Sequence, residues 1–158
     1  MNDIIFINTA SKYSEKNWQL LKAKCLYAKQ LKTNSNNLPD IIKAASSMSL
    51  TRCFWIVLDS VSIIPTFDFN YTINEWDKSY IHAWLTFKPK SKLVNKGVYC
   101  VDKRYDKKLL MAPVDKIASV EANTSLSNAS FDIFFLSTGS ETDRSNYQTI
   151  VERFPQTQ

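Results

Sequence analysis

Glycine is scarce in this chain of 158 residues, where Gly97 and Gly139 are the only two. Average protein composition is about 7% glycine. Two glycines so far apart cannot form the Gly-x-Gly-x-x-Gly fingerprint of dinucleotide-binding proteins or the phosphate-binding loop of the common nucleotide hydrolases. They cannot form a Gly-x-Ser-x-Gly nucleophile elbow either. The sequence therefore excludes these three glycine-dependent sites.

Histidine and cysteine are also few. His82 is the single histidine, and Cys25, Cys53 and Cys100 are widely spaced in apolar surroundings, without a Cys-x-x-Cys pair. A zinc site of the usual kind would need all four of these side chains to converge. An odd number of separated cysteines indicates free, buried thiols in a reducing compartment rather than a disulfide framework.

Long apolar runs are absent as well. No stretch approaches the roughly 20 residues that a membrane helix needs. Met1-Asn2-Asp3 leads directly into apolar residues, without the charged segment and cleavage site of a signal peptide. We therefore expect a protein that has no membrane partner and is not secreted by a signal peptide. The hydrophobic content of 44% is enough for one sizeable core, so a single domain over residues 1–158 is expected.

Apolar patterns predict alternating strands and helices in the first 60 residues. Continuous runs predict buried strands at residues 4–8 and 53–58, with a shorter strand at 28–32 between them. Ser14 is expected to cap a helix that ends near Cys25, and Pro39 to lie in the first turn of a second helix. This order predicts an α/β fold with parallel strands and right-handed crossovers.

The remainder of the chain is less regular. Its patterns predict strands at 80–87, 97–102 and 131–136, a short helix or turn at 107–111, and an amphipathic helix that begins at Asp143. Ile63-Ile64-Pro65 is expected to leave the sheet. The expected architecture is thus one domain with a mixed, mostly parallel sheet and flanking helices.

The buried strand at 53–58 ends at Asp59. Open α/β sheets bind ligands at the carboxyl ends of their strands. Many nucleotide-sugar transferases place two aspartates there, as Asp-x-Asp, because a divalent cation that bridges a diphosphate needs several hard oxygen ligands. Val61 stands in the place of the second aspartate here. Asp59 is therefore the candidate residue for catalysis and for metal and cofactor binding, and its structural alternative is a helix cap or loop residue at a strand end.

Three other residues are weaker candidates for chemistry. His82 could act as a base or a ligand, although a lone histidine in an apolar strand is more often a half-buried structural residue. Asp68 and Asp77 could supply the missing carboxylate, but both lie among aromatic residues in a predicted surface loop.

Positive charge is concentrated between residues 88 and 108. Eight cations against Asp102 and Asp106 give this segment a net charge of +6, compared with +5 for the whole chain. The pattern predicts binding to nucleic acid or to an acidic protein partner, with a solvated lysine-rich hairpin as the alternative. The eight cations are Lys88, Lys90, Lys92, Lys96, Lys103, Arg104, Lys107 and Lys108.

Motifs along the chain give it a resemblance to a known family. They occur in the same order over nearly the whole length, at Asp3–Ile7, Asn17–Lys22, Phe54–Asp59, Phe67–Tyr71, Trp76-Asp77, Tyr80–Trp84 and Thr124–Ser127, followed by the terminal helix. In this order they resemble bacteriophage-encoded, glycosyltransferase-like proteins of the GT-A type. The resemblance implies a GT-A-like fold and, in an active member, Mn²⁺ or Mg²⁺ with a nucleotide sugar.

Two site elements depart from the family pattern. Asp59-Ser60-Val61-Ser62 stands where the family has Asp-Ala-Asp-Ala, and Leu38–Ile42 stands where it has a segment of the Ile-His-x-Ala-His type. We therefore expect a catalytically degraded relative that needs no cofactor, binds other phage virion proteins and is located in the host cytoplasm or the virion. The alternatives are an active metal-dependent glycosyltransferase and a basic nucleic-acid-binding protein.

Overall fold

Seven strands and two α-helices make up the part of the chain that the computed structural model describes, residues 1–88 and 94–122. In chain order they are β1 (Asp3–Asn8), α1 (Ser14–Lys24), β2 (Lys29–Lys32), α2 (Leu38–Met48), β3 (Cys53–Leu58), β4 (Val61–Ile63), a short 3-10 helix (Glu75–Asp77), β5 (Ile81–Phe87), β6 (Val94–Asp102) and β7 (Met111–Glu121). The strands form one sheet in the order β2-β1-β3-β6-β5-β7-β4.

The first half of the chain folds as its apolar pattern predicts. β1 lies between β2 and β3 and is parallel to both. Its continuous apolar run is buried on both faces, since Phe6 packs in the core with Leu21 of α1, and Ile7 packs in the core with Ile42 of α2. The two helices therefore cover opposite faces of the sheet. The predicted β-α-β-α-β order with parallel strands is confirmed.

The amino ends of the two α-helices are stabilised differently. Asn37 precedes α2 and accepts a hydrogen bond from the amide of Asp40, with Pro39 in the first turn as expected. The prediction that Ser14 caps α1 is wrong, because Tyr13 occupies the cap position and no side chain caps it. Ser14 is instead the first helical residue, and its hydroxyl donates to Asp59.

Among the described residues the sheet is mixed, but parallel pairs are not in the majority, so the expectation of a mostly parallel sheet is wrong for this part of the chain. Three of its six pairings are parallel (β1 with β2, β1 with β3, β5 with β7) and three are antiparallel (β3 with β6, β5 with β6, β4 with β7). The predicted strand 80–87 is confirmed as β5, and the strand predicted at 97–102 begins earlier, at Val94.

Two strands lie where none is expected. Ile63 does not leave the sheet, since β4 pairs with β7 at its edge. Met111 is not the end of a turn but the first residue of β7, whose first half is largely exposed and contains Pro113. The sequence of such a segment shows little preference for a strand. We therefore attribute its extended conformation to its pairing with β5. The strand predicted at 131–136 and the helix predicted from Asp143 fall outside the described residues.

The second half of the sheet must curl. Two residues join β3 to β4, so Leu58 and Val61 are at most about 11 Å apart. In a flat sheet of this order, four strand spacings of about 4.8 Å would separate β3 from β4 by roughly 19 Å. Register shifts around Leu85, where β5 pairs with β7, mark the irregularity at which the sheet bends. The curl brings Val61 of β4 against Gly97 of β6.

The cysteines are free thiols, as the sequence predicts. Cys25 and Cys100 are buried and Cys53 is half-buried. Burial raises the pKa of all three thiols, so they are protonated at neutral pH. Neither described helix is both long and apolar enough to cross a membrane.

Gly97 gives a test of the curl. Its φ of +104° suits glycine, and a Cβ atom there would lie 2.6 Å from Cγ1 of Val61. We expect Gly97→Ala to lower the free energy of unfolding by about 2–4 kcal/mol, measured by urea denaturation, because strain and overlap act together. In a Val61→Ala background the same change should cost at least about 1 kcal/mol less. Equal losses in both backgrounds would contradict the contact.

Candidate functional site

The carboxyl ends of β1, β2 and β3 form the candidate site. The chain leaves β1 through α1 towards β2 and then returns through α2 to β3 on the other side of β1. The two helices lie on opposite faces of the sheet. The connection that follows β1 leads away from β3, and the connection that follows β3 leads away from β1, so the two diverge between these neighbouring strands. Such a switch point is where open α/β sheets bind their ligands. Thr9 follows β1 at this point, and Asp59 follows β3.

The carboxylate of Asp59 closes this switch point with internal hydrogen bonds. Its Oδ2 atom accepts the backbone amide of Thr9 at 2.7 Å and the hydroxyl of Thr9 at 2.9 Å. The same oxygen accepts the hydroxyl of Ser14 at 2.5 Å, and Oδ1 is 3.1 Å from the Thr9 hydroxyl. Asp59 is 3% exposed. The side chain predicted as a metal ligand thus joins the end of β3 to the β1–α1 loop and to the first residue of α1.

The backbone of Asp59 is held as firmly as its side chain. Its amide donates to the carbonyl of Ile7, and its carbonyl accepts the side-chain amide of Asn17 at 2.8 Å. The carbonyl oxygen of the Asn17 side chain in turn accepts the hydroxyl of Ser62 at 2.5 Å. Asn17 and Ser62 are both buried. Helix α1 therefore fixes both ends of the short connection between β3 and β4.

Val61 faces the core rather than the switch point. It is 3% exposed and lies in the same apolar cluster as Trp55 and Val98. Its methyl groups occupy the space above Gly97. An aspartate at this position would put a carboxylate into that packed contact, where an unpaired charge is costly. The second position of the Asp-x-Asp pattern is thus used for packing.

A polar groove of about 510 Å³ lies beside the switch point, at the ends of β1 and β2. Ala10 forms part of its wall and has a φ of +62°, which is uncommon for a residue with a Cβ atom. The side-chain oxygen of Asn8 accepts the amide of Ala10 at 2.8 Å and holds the loop in this shape. The other residues of the groove are Ser11, Ser14, Glu15, Lys32, Thr33 and Asn34.

His82 lies on β5 and is buried. Strand β6 lies between β5 and β3, the strand that ends just before Asp59. The Nδ1 atom of His82 is 3.0 Å from the hydroxyl of Tyr71, and its Nε2 atom is 3.1 Å from the carbonyl oxygen of Asp77. Both ring nitrogens therefore have partners within the protein. Asp68 is exposed and Asp77 half-buried in the segment between β4 and β5, so neither is brought to Asp59. Within residues 1–88 and 94–122, no three acidic, histidine or cysteine side chains gather into a metal-binding group.

The basic segment is divided between the two ends of β6. Lys88 and Lys96 line a small cavity with Ser60, near the candidate site. Lys103 follows the other end of the strand, roughly 23 Å from Lys96 at the usual rise of a strand. Arg104, Lys107 and Lys108 lie in the same turn region as Lys103. Lys90 and Lys92 fall outside the described residues. The structure thus brings Lys88 and Lys96 together but separates them from the later four cations.

Sequence reasoning missed the partners of Asp59. Thr9 and Asn17 are 50 and 42 positions away from it. A threonine after one strand and an asparagine in a helix carry no signal of a distant carboxylate. The position of Thr9 just after the first predicted strand was the one available indication.

Comparisons with known proteins give little information about the activity. No family model matches the sequence, and no curated protein matches it. A similar solved structure is the crystal structure of a glycosyltransferase involved in the glycosylation of the major capsid of PBCV-1, with 18% sequence identity and a TM-score of 0.45. The likeness covers 64% of this chain and 59% of that one. A partial overlap of this kind carries no conclusion about what the present chain does.

The structural role of Asp59 can be measured. Asp59→Ala leaves the half-buried donors of Thr9 and the buried hydroxyl of Ser14 without their acceptor, so we expect the free energy of unfolding to fall by about 2–4 kcal/mol in urea denaturation. Asp68→Ala is the matched control, because Asp68 is exposed and its loss should cost about 0.5 kcal/mol or less. Equal stability of the two variants would contradict the structural role.

Proposed function

We propose that this chain is a phage glycosyltransferase-like protein that has lost catalysis and acts as an interaction module. The observation that carries the proposal is the carboxylate of Asp59, which is buried at the switch point and accepts hydrogen bonds from three donors of Thr9 and Ser14. The order of family motifs in the sequence supports the glycosyltransferase-like assignment. The departures from those motifs support the loss of activity.

Two energetic terms oppose a cation at Asp59. A metal ion at Oδ2 would have to displace the amide and hydroxyl of Thr9 and the hydroxyl of Ser14, and Oδ1 is buried with it and lies 3.1 Å from the Thr9 hydroxyl. Each buried donor left without a partner costs about 1–3 kcal/mol. A divalent cation also needs several oxygen ligands, and the buried Val61 offers none. In this proposal the protein needs neither Mn²⁺ or Mg²⁺ nor a nucleotide sugar.

The proposed partners are other proteins of the phage particle. We place the chain in the host cytoplasm during assembly and in the virion afterwards. This part of the proposal is supported by the family resemblance of the sequence. Nucleic-acid binding has less support, because β6 separates Lys88 and Lys96 from the later cations.

The second candidate function is an active, metal-dependent glycosyltransferase. The polar groove beside the switch point favours it, since a groove of about 510 Å³ at the ends of β1 and β2 has room for a nucleoside. Lys32 in its wall has a charge that suits a phosphate group.

Calorimetric titration distinguishes the two candidates. The purified chain is titrated with UDP-glucose, UDP-galactose and GDP-mannose, each with and without Mn²⁺. The proposal predicts no saturable heat that depends on Mn²⁺. Saturable, metal-dependent binding that Asp59→Asn abolishes and Asp68→Asn leaves intact would contradict the proposal and establish the second candidate.

A further inference from the structure

Exposed apolar side chains lie at the amino ends of the parallel strands, at the end of the sheet opposite the candidate site. Every large hydrophobic residue that is exposed in the described part of the chain precedes or begins one of the strands β1, β2, β3, β5 and β7. These residues are Met1, Leu26, Tyr27, Leu50, Trp76, Leu110 and Met111. The amino ends of these five strands lie at the same edge, because the five strands run in the same direction.

Three of these residues belong to two segments that meet at this end of the sheet, and we call them the Trp76 patch: Trp76, Leu110 and Met111. They are 80%, 51% and 42% exposed. Trp76 belongs to the 3-10 helix just before β5, and Leu110 and Met111 lie at the start of β7. The two segments meet where the amide of Ile81 donates to the carbonyl of Leu110 at 2.8 Å. Tryptophan is the residue most typical of binding hot spots.

The Trp76 patch is fixed by charged hydrogen bonds rather than left on a loose loop. Arg104 donates through Nη1 and Nη2 to the two carboxylate oxygens of Glu75, at 2.8 and 3.1 Å, and also binds the buried Asp102. These contacts with Arg104, together with Lys78, lower the pKa of Glu75 to about 2, so the pair stays charged at neutral pH. The neighbour of Trp76 is thereby tied to the turn that leads to Leu110.

The turn itself is strained. Leu109 has a φ of +51°, a left-handed conformation that costs a residue with a side chain about 1–2 kcal/mol. Its side chain packs against the core on the α2 face, while Leu110 next to it is exposed. Backbone strain of this kind tends to be retained where the conformation serves a function. Here it directs one leucine inward and the next outward.

The exposed charges beside the Trp76 patch that lack an ion-pair partner among the described residues are positive, since the exposed Glu75 is paired with Arg104 and Lys78. Among the described residues, Lys107 and Lys108 are exposed and take part in no ion pair, whereas Arg52, Lys78 and Arg104 are paired with Glu75 or Asp102. Asp77 and Asp106 are half-buried, and Asp106 accepts the backbone amide of Lys108. A second copy of the chain would bring its own lysines to the same contact, and like charges facing each other disfavour that pairing.

We propose that the Trp76 patch docks a partner protein through a segment that carries apolar side chains flanked by aspartate or glutamate. The inference rests on the proposed function, since it names the surface and the partner chemistry of the interaction module. Trp76 supplies the apolar anchor, and Lys107 and Lys108 select for the acidic flanks.

The test is selection from a random peptide library against the immobilised full chain. Recovered peptides are synthesised with a fluorophore, and their affinities are measured by fluorescence polarisation. We expect them to combine apolar with acidic residues. Trp76→Ala should weaken their binding about tenfold or more, and the double change Lys107→Glu with Lys108→Glu about threefold or more. Leu26→Ala is the matched control, because Leu26 is 77% exposed at the same edge but outside the patch, and its change should be less than twofold.

Several outcomes would overturn the docking surface. They are peptides without an acidic excess, affinities unchanged by Trp76→Ala, recovery of no peptide, and self-association of the chain that Trp76→Ala abolishes. Trp76 is exposed, so its variant should keep the urea midpoint of the parent chain. If the chain shows no metal-dependent binding of nucleotide sugars and also fails the peptide test, only the docking surface is contradicted. Metal-dependent binding of a nucleotide sugar would contradict the proposed function itself.

Discussion

The hydrogen bonds of the Asp59 carboxylate connect three segments that are distant in the sequence. They tie the end of β3 to the β1–α1 loop and to the first turn of α1, at the point where the connections of the sheet diverge. In an open α/β sheet this point is a crevice for a ligand. Here this point is occupied by Asp59, the residue that the sequence marks as a candidate ligand. If its carboxylate bound a cation at Oδ2, it would lose the hydrogen bonds that hold these segments together, which costs free energy.

The curl of the sheet depends on the same corner. Asp59 and Ser60 alone join β3 to β4, and Asn17 of α1 holds the carbonyl of Asp59 on one side and Ser62 on the other. The chain then enters β4 with Val61 packed against Gly97. Position 61, where a transferase with the Asp-x-Asp pattern would carry its second aspartate, is therefore the position at which β4 packs against β6.

Much of the first half of the fold could be predicted, because local signals and tertiary structure agree there. Continuous apolar runs mark β1 and β3, and Pro39 marks the start of α2. β4 and β7 could not be predicted, since their pairing depends on a curl that no local pattern encodes. For the site, the sequence placed Asp59 correctly at a strand end but could not show which way its carboxylate points. The partners of His82 were hidden for the same reason, since they come from the segment before β5.

Paramagnetic broadening by Mn²⁺ tests the central claim most directly, namely that the Asp59 carboxylate is an internal hydrogen-bond acceptor and not a metal ligand. In a ¹⁵N-labelled chain, the amide signals of Thr9, Ser14 and Ser60 report on the surroundings of this carboxylate. We predict that Mn²⁺ leaves these three signals as intense as those of buried residues elsewhere in the sheet. Selective loss of these signals, reversed by a chelator, would contradict the account.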